Sequence, residues 1–100
     1  MLIIQGHIDI DPASVPEIEG ARQTMMAETM KEDGCLHYSI AVEDAARGRI
    51  GLSERWRDGD CLARHGKAAH MADFQKAISG KVRGMDVKMY DAANERPLGG

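Results

Sequence analysis

Four histidines stand among the 100 residues, and two of them, His65 and His70, lie five positions apart in one helical-looking stretch. Imidazole is the side chain whose ordinary pKa lies near neutral pH, so a positioned histidine can take and return a proton there. Five residues of an unbroken α-helix turn through about 500°, which leaves the two rings about 140° apart. They cannot share one narrow face unless Gly66 bends the segment. His65 has Leu62 three residues before it, and His70 has Phe74 and Ile78 beyond it, so each also reads as a boundary residue with one satisfied nitrogen. Trp56, the only tryptophan, shares strand parity with Leu52 and Glu54. It is either plain core or the flat wall on which a planar ligand stacks. Glu54 either reaches water at a strand edge or, if buried, must find a partner. An approaching His65 would be such a partner, and the contact would orient the imidazole and raise its basicity.

Other chemistries find little support. His-x4-His lacks the two-on-one-face geometry of H-E-x-x-H, and no cysteine or carboxylate cluster joins it, so no metal is expected. The sequence holds no G-x-S-x-G, G-x-x-x-x-G-K or G-x-G-x-x-G, which removes a nucleophile elbow, a phosphate loop and a dinucleotide fingerprint. Cys35 and Cys61 lack C-x-x-C spacing and read as two reduced thiols. Thirteen basic against 16 acidic side chains give a net charge of −3, which offers no footprint for nucleic acid or an anionic membrane. With no spanning or signal-like segment, the expected setting is the cytoplasm and the expected partner a small organic molecule.

Strands and helices must position these residues. Leu2, Ile4, Ile8 and Ile10 share one parity of a strand over 2–10, which Pro12 closes. Val15, Ile18, Ala21, Met25 and Thr29 recur at helical steps, predicting a helix from about Ala13 to Lys31 with Ser14 as N-cap and Asp33-Gly34 as stop. A strand over 35–43, a connection through Gly48 and a strand over 50–57 form an antiparallel hairpin. Asp58-Gly59-Asp60 caps a helical region to about Ile78, and Met85, Val87 and Met89 alternate in a last strand over 85–90. The fold class is therefore α+β, a ferredoxin-like β-α-β-β-α-β order with an antiparallel four-stranded sheet over residues 1–91 and a tail over 92–100. With 4% aromatic residues and seven methionines, the core is thin for one chain. Apolar residues of both parities, such as Ile3 beside Ile4 and Ala41 beside Val42, suggest that the sheet face left bare by the helices packs on a second copy, a homodimer.

The run Glu32-Asp33-Gly34-Cys35-Leu36-His37-Tyr38 resembles the E-x-G-C-x-x-Y segment of the antibiotic biosynthesis monooxygenase family. Glu54, Trp56, His65, His70 and Phe74 are similar to that family's E-x-W-x8-H-x4-H-x3-[FY] pattern. The resemblance covers about 90 residues and implies a dimeric α+β barrel with an apolar cavity between helices and sheet in each subunit. It also implies oxygenation by O2 of a small aromatic or quinol-like substrate without flavin, haem or metal. His65 would be the base and Trp56 the stacking wall, while Tyr38, Glu54, His70 and Phe74 would bind or orient the substrate. Tyr38 also has a strand parity that could point it into a dimer interface. Residues 1–11 contain no Asn, which departs from haem-degrading relatives, and Ala69 stands where the family has Pro. A non-catalytic small-molecule binding dimer and a cofactor-free isomerase of a small carbonyl compound are the alternatives. The oxygenase reading expects Trp56 and His65 to line the largest cavity.

Overall fold

The computed structural model describes residues 1–99, so Gly100, the end of the predicted tail, lies outside the described residues. Strand β1 (Leu2–Ile10) is followed by helix α1 (Glu19–Thr29), strands β2 (Cys35–Asp44) and β3 (Arg49–Trp56), helices α2 (Gly59–Gly66) and α3 (Ala69–Ile78), and strand β4 (Val82–Asp91). The antiparallel sheet has the order β2-β3-β1-β4, as the ferredoxin-like reading requires. Among the described residues no helix is long and apolar enough to cross a membrane.

The single long helix expected over 13–31 is not what forms. Pro12 and Pro16 lack the N–H that helix propagation needs, and the chain makes two 3-10 turns, Pro12–Ser14 and Pro16–Ile18, before α1 begins. Ser14 is therefore no helix cap; Asp11 caps the first turn by accepting from the Ala13 N–H at 3.2 Å. The second helical region does divide where Gly66 allowed it. Lys67 and an extended Ala68 separate α2 from α3, and Asp58 caps α2 by accepting from the Cys61 N–H at 3.0 Å.

Register sets what each face of the sheet carries. Ile4 stands between Glu54 of β3 and Met89 of β4, and Ile8 between Ile50 and Met85, so the even residues of β1 share the helix side. That side holds Ile8, Ile10, Tyr38, Ile40, Ile50 and Trp56, packed with Val15, Ile18, Met25 and Phe74. Arg22 reaches from α1 to the edge strand β2 and donates from Nη1 to the Ile40 carbonyl at 2.6 Å, fastening helix to sheet.

The bare face is mixed in character. Gln5, His7 and Asp9 of β1 lie there opposite Ser53, Gly51 and Arg49, and Lys88 and Asp86 continue the polar row on β4. Asp9 and Arg49 pair across it at 2.9 Å. At its other end the exposed Tyr90 stands opposite Ile3. Further exposed apolar side chains sit at the outer strands on the helix side, where Met85 and Met89 are 66% and 60% accessible and Val42 is also exposed. The helices do not reach that far. The tail returns beside the sheet, where Met1 and Ala92 exchange backbone hydrogen bonds.

Gly34 ends the turn into β2 with φ of +81°, and a Cβ built there would come within 2.2 Å of Cys61 Sγ. Gly34→Ala should therefore destabilise by about 2–4 kcal/mol through strain and overlap. Gly20, inside α1 with open space around it, should gain about 0.5–1 kcal/mol as Ala. Urea unfolding midpoints of the two variants, moving in opposite directions from the parent, check both.

Candidate active site

Between the end of α1 and the start of β2, the turn over residues 30–34 presents two carboxylates in different directions. Asp33 points out and takes a bidentate pair from Arg57 at 2.9 and 3.1 Å, with Arg64 at 3.3 Å. Glu32 points in. Its Oε2 lies 2.6 Å from His65 Nδ1 and 2.8 Å from His70 Nε2. A carboxylate is an acceptor only, so both ring nitrogens donate to the same oxygen. The two histidines do not share a helix face; the break at Lys67-Ala68 turns α3 so that both rings reach one point from separate helices.

The reason for expecting no metal is overturned by this arrangement, since a carboxylate does join the pair. Glu32 was missed as a functional residue because strand and helix periodicity say nothing about a turn position. Its signal was present in the E-x-G-C segment, of which it is the first residue.

His65 is 1% exposed, and its ring is walled by two aromatic side chains. The Trp56 ring lies 4.9 Å away between centroids, tilted by 36°, and Tyr38 meets it nearly edge-on at 5.3 Å. Tyr38 thus belongs to the helix side of the sheet and not to the bare face. Burial, with the charges of Glu54 and Glu32 adding to it, pushes the Tyr38 hydroxyl far above its ordinary pKa, so it remains a neutral wall. With Nδ1–H given to Glu32, the neutral form of His65 leaves Nε2 as an acceptor. It is the buried side-chain nitrogen without a hydrogen-bond partner among the described residues.

Glu54 is buried, which removes the water-exposed reading, yet its partner is not His65. Its Oε1 accepts from the Trp56 indole N–H two residues along the same strand, at 2.9 Å. Burial raises its carboxyl pKa, and the indole hydrogen bond and the nearby His65 offset only part of that rise. Glu54 therefore fixes the indole ring, and Glu32 fixes the imidazole. Phe74 is buried in the core on α3, one turn beyond His70. His7 and His37 lie on the bare face, away from this centre.

Trp56 and His65 are packed shut, and among the described residues neither lines the surface cavities found elsewhere. One of these, about 640 Å³, is bounded by Met1, Ile3, Arg55 and tail residues 92–99. A second, about 490 Å³, adjoins it at Arg55 and residues 95–97, and a third, about 260 Å³, lies by Gln5, His7, Glu43 and Lys88.

Comparison with known proteins bears on this centre. Rv0793 of Mycobacterium tuberculosis superposes with a TM-score of 0.82 at 22% identity, over 96% of this chain and 98% of that one. PA3566 of Pseudomonas aeruginosa gives 0.80 at 21% identity, over 93% and 94%. A structure described as an antibiotic biosynthesis monooxygenase gives 0.83 at 23%, over 94% and 100%. At these identities the likeness carries the fold. No curated protein matches the sequence. The sequence profile of the antibiotic biosynthesis monooxygenase family matches residues 1–77, which include Glu32, Tyr38, Glu54, Trp56, His65 and His70, and the chain belongs to that family.

Proposed function

We propose that the chain is a monooxygenase in which His65 removes a proton from a small, electron-rich aromatic or quinol-like substrate, which then reacts with O2. The observation that carries this is the free Nε2 of His65, buried between Trp56 and Tyr38 while Glu32 holds Nδ1. A base so placed is oriented, dry and ready to accept. Deprotonation makes the substrate a reductant: its anion passes one electron to O2, and the radical and superoxide combine to form a carbon–oxygen bond. The proton held by His65 returns to the resulting peroxide. The O–O bond then breaks as the attacked carbon loses its hydrogen as a proton: the C–H electron pair forms the carbonyl to the proximal oxygen, and the distal hydroxide takes that proton and leaves as water, so the substrate supplies both electrons. Family membership supports this class of reaction.

Because the centre is closed, the proposal requires side chains to move. Glu32 and His70 form its outer edge, with side chains 18% and 17% exposed against 2% for His65, and the partly buried Leu62 and Met71 lie three residues before His65 on α2 and one after His70 on α3. A planar substrate would displace them to reach Trp56. The 640 Å³ cavity favours a second reading, a binding protein that holds a small molecule against Met1, Ile3, Arg55 and the tail without turning it over.

The exposed Met85, Met89 and Val42 also support a homodimer joined through the outer strands. Sedimentation of the parent should give a dimer, and Met85→Glu with Met89→Glu should shift it to monomer with the circular dichroism unchanged.

Oxygen uptake with a panel of quinols should exceed that of His65→Ala by about 10²–10⁴-fold for at least one compound. Equal rates across the panel would sink the oxygenase reading, and conversion of substrate without O2 would favour isomerisation. The raised pKa of Glu54 gives a separate check. The folded state holds this proton more tightly than the unfolded chain, so the stabilising contribution is complete below the ordinary value of 4.5 and is lost as pH rises through the raised one. Glu54→Gln keeps an acceptor for the indole N–H and escapes that loss. Its melting temperature should exceed the parent's at pH 7, and the gap should close as pH falls toward 4.5.

A further inference from the structure

The oxygenase reading uses Glu32 only as an anchor for His65, yet three ligand-type atoms meet there. His65 Nδ1, His70 Nε2 and Glu32 Oε2 lie within 4.8 Å of one another. They come from three separate pieces of chain: the turn after α1, the last turn of α2 and the first turn of α3. Metal–ligand bonds of about 2.0–2.2 Å place adjacent ligand atoms about 2.8–3.1 Å apart at octahedral angles and about 3.3–3.6 Å apart at tetrahedral ones. The carboxylate oxygen is 2.6 and 2.8 Å from the two nitrogens. Those two pairs must therefore open by a few tenths of an ångström for an octahedral ion and by about 0.5–1 Å for a tetrahedral one.

Charge and access agree with this. Glu32 is only 18% exposed, and its ionic partners are the two imidazoles, with no Lys or Arg among them. Arg57 and Arg64, the nearby cations, are turned onto Asp33 and Cys61 Sγ instead. His70 and Glu32 touch solvent, so an ion could be reached from that side and keep water on its open positions. Two imidazoles with one carboxylate suit zinc or another divalent first-row ion, and the one position left open on a tetrahedral ion, or three on an octahedral one, resemble a site that does chemistry more than a closed structural one.

We propose that Glu32, His65 and His70 bind a divalent first-row transition ion, with the ion replacing the two hydrogens now shared with Glu32 Oε2. The binding has a consequence for the base. An ion on Nδ1 forces neutral His65 to carry its hydrogen on Nε2, so the buried nitrogen that Glu32 does not hold changes from acceptor to donor. Ion binding and proton abstraction by His65 are then mutually exclusive.

Chelator-treated protein titrated with Zn²⁺ in a calorimeter should bind one ion per chain. Co²⁺ should give visible d–d absorption that Zn²⁺ abolishes. His70→Ala and Glu32→Gln should each weaken binding by at least tenfold, the scale of losing a supporting partner at such sites, whereas His37→Ala on the bare face should leave it unchanged. Circular dichroism of each variant establishes that it is folded. Absence of saturable binding by the parent overturns the proposal, as does binding that persists undiminished in folded His70→Ala and Glu32→Gln. None of these readouts needs turnover, so the site stands or falls apart from the oxygenase reading. Where quinol oxidation is found, Zn²⁺ should suppress it and chelator should restore it.

Discussion

One carboxylate oxygen holds the helical layer in its working form. Glu32 Oε2 accepts from an imidazole on α2 and from another on α3, and Glu32 itself stands on the turn that leaves α1. Three pieces of chain that could slide past one another are thereby joined at a point. Hydrogen bonds to a charged group, partly shielded from water, are worth about 1.5–3 kcal/mol each, more than most pairs on a surface. The Asp33 pairs with Arg57 and Arg64 brace the same turn from outside, but they are exposed and individually weak. The outer network keeps the turn in place, while the inner one decides where the rings point.

A second carboxylate does the corresponding work on the sheet. Glu54 is buried because β3 alternates, and alternation cannot distinguish a carboxylate from the leucine two residues before it. The fold tolerates it because the Trp56 indole lies two residues along the same face and gives its only N–H to Glu54. Indole and imidazole are thus each fixed by a separate carboxylate. The ring-to-ring separation of 4.9 Å between Trp56 and His65 follows from two independent anchors, one on β3 and one beyond α1.

The strands were legible because a period of two is imposed by the pleat wherever one side is buried: Ile8, Ile10, Ile40, Ile50 and Trp56 all fall on the side their spacing requires. The first helix was only partly legible. Val15 and Ile18 have helical spacing and are buried, yet prolines at 12 and 16 turn the backbone there into 3-10 geometry, so apolar spacing survived while the hydrogen-bond pattern did not. Burial of His65 and Trp56 could be inferred from their neighbours. The meeting of His65, His70 and Glu32 could not, since it depends on the angle between two short helices set by Lys67 and Ala68. The bare face was legible only in part: Ile3 and Tyr90 give it an apolar end, whereas Gln5, His7, Asp9 and Arg49 make the other end polar.

What distinguishes this centre from a well-packed core is one atom. Buried polar groups are nearly always paired, and an unpaired one costs about 1–3 kcal/mol. His65 Nε2 is unpaired although the same ring has an excellent partner on its other side. A purely structural crosslink would gain nothing from this: a residue offering one nitrogen and a plain aromatic edge would fill the space between Trp56 and Tyr38 without the penalty. Local cost retained inside an otherwise consistent fold is expected at functional or strained sites. Here the cost is confined to the ring nitrogen that Glu32 does not hold, the atom to which the proposed proton transfer assigns the base.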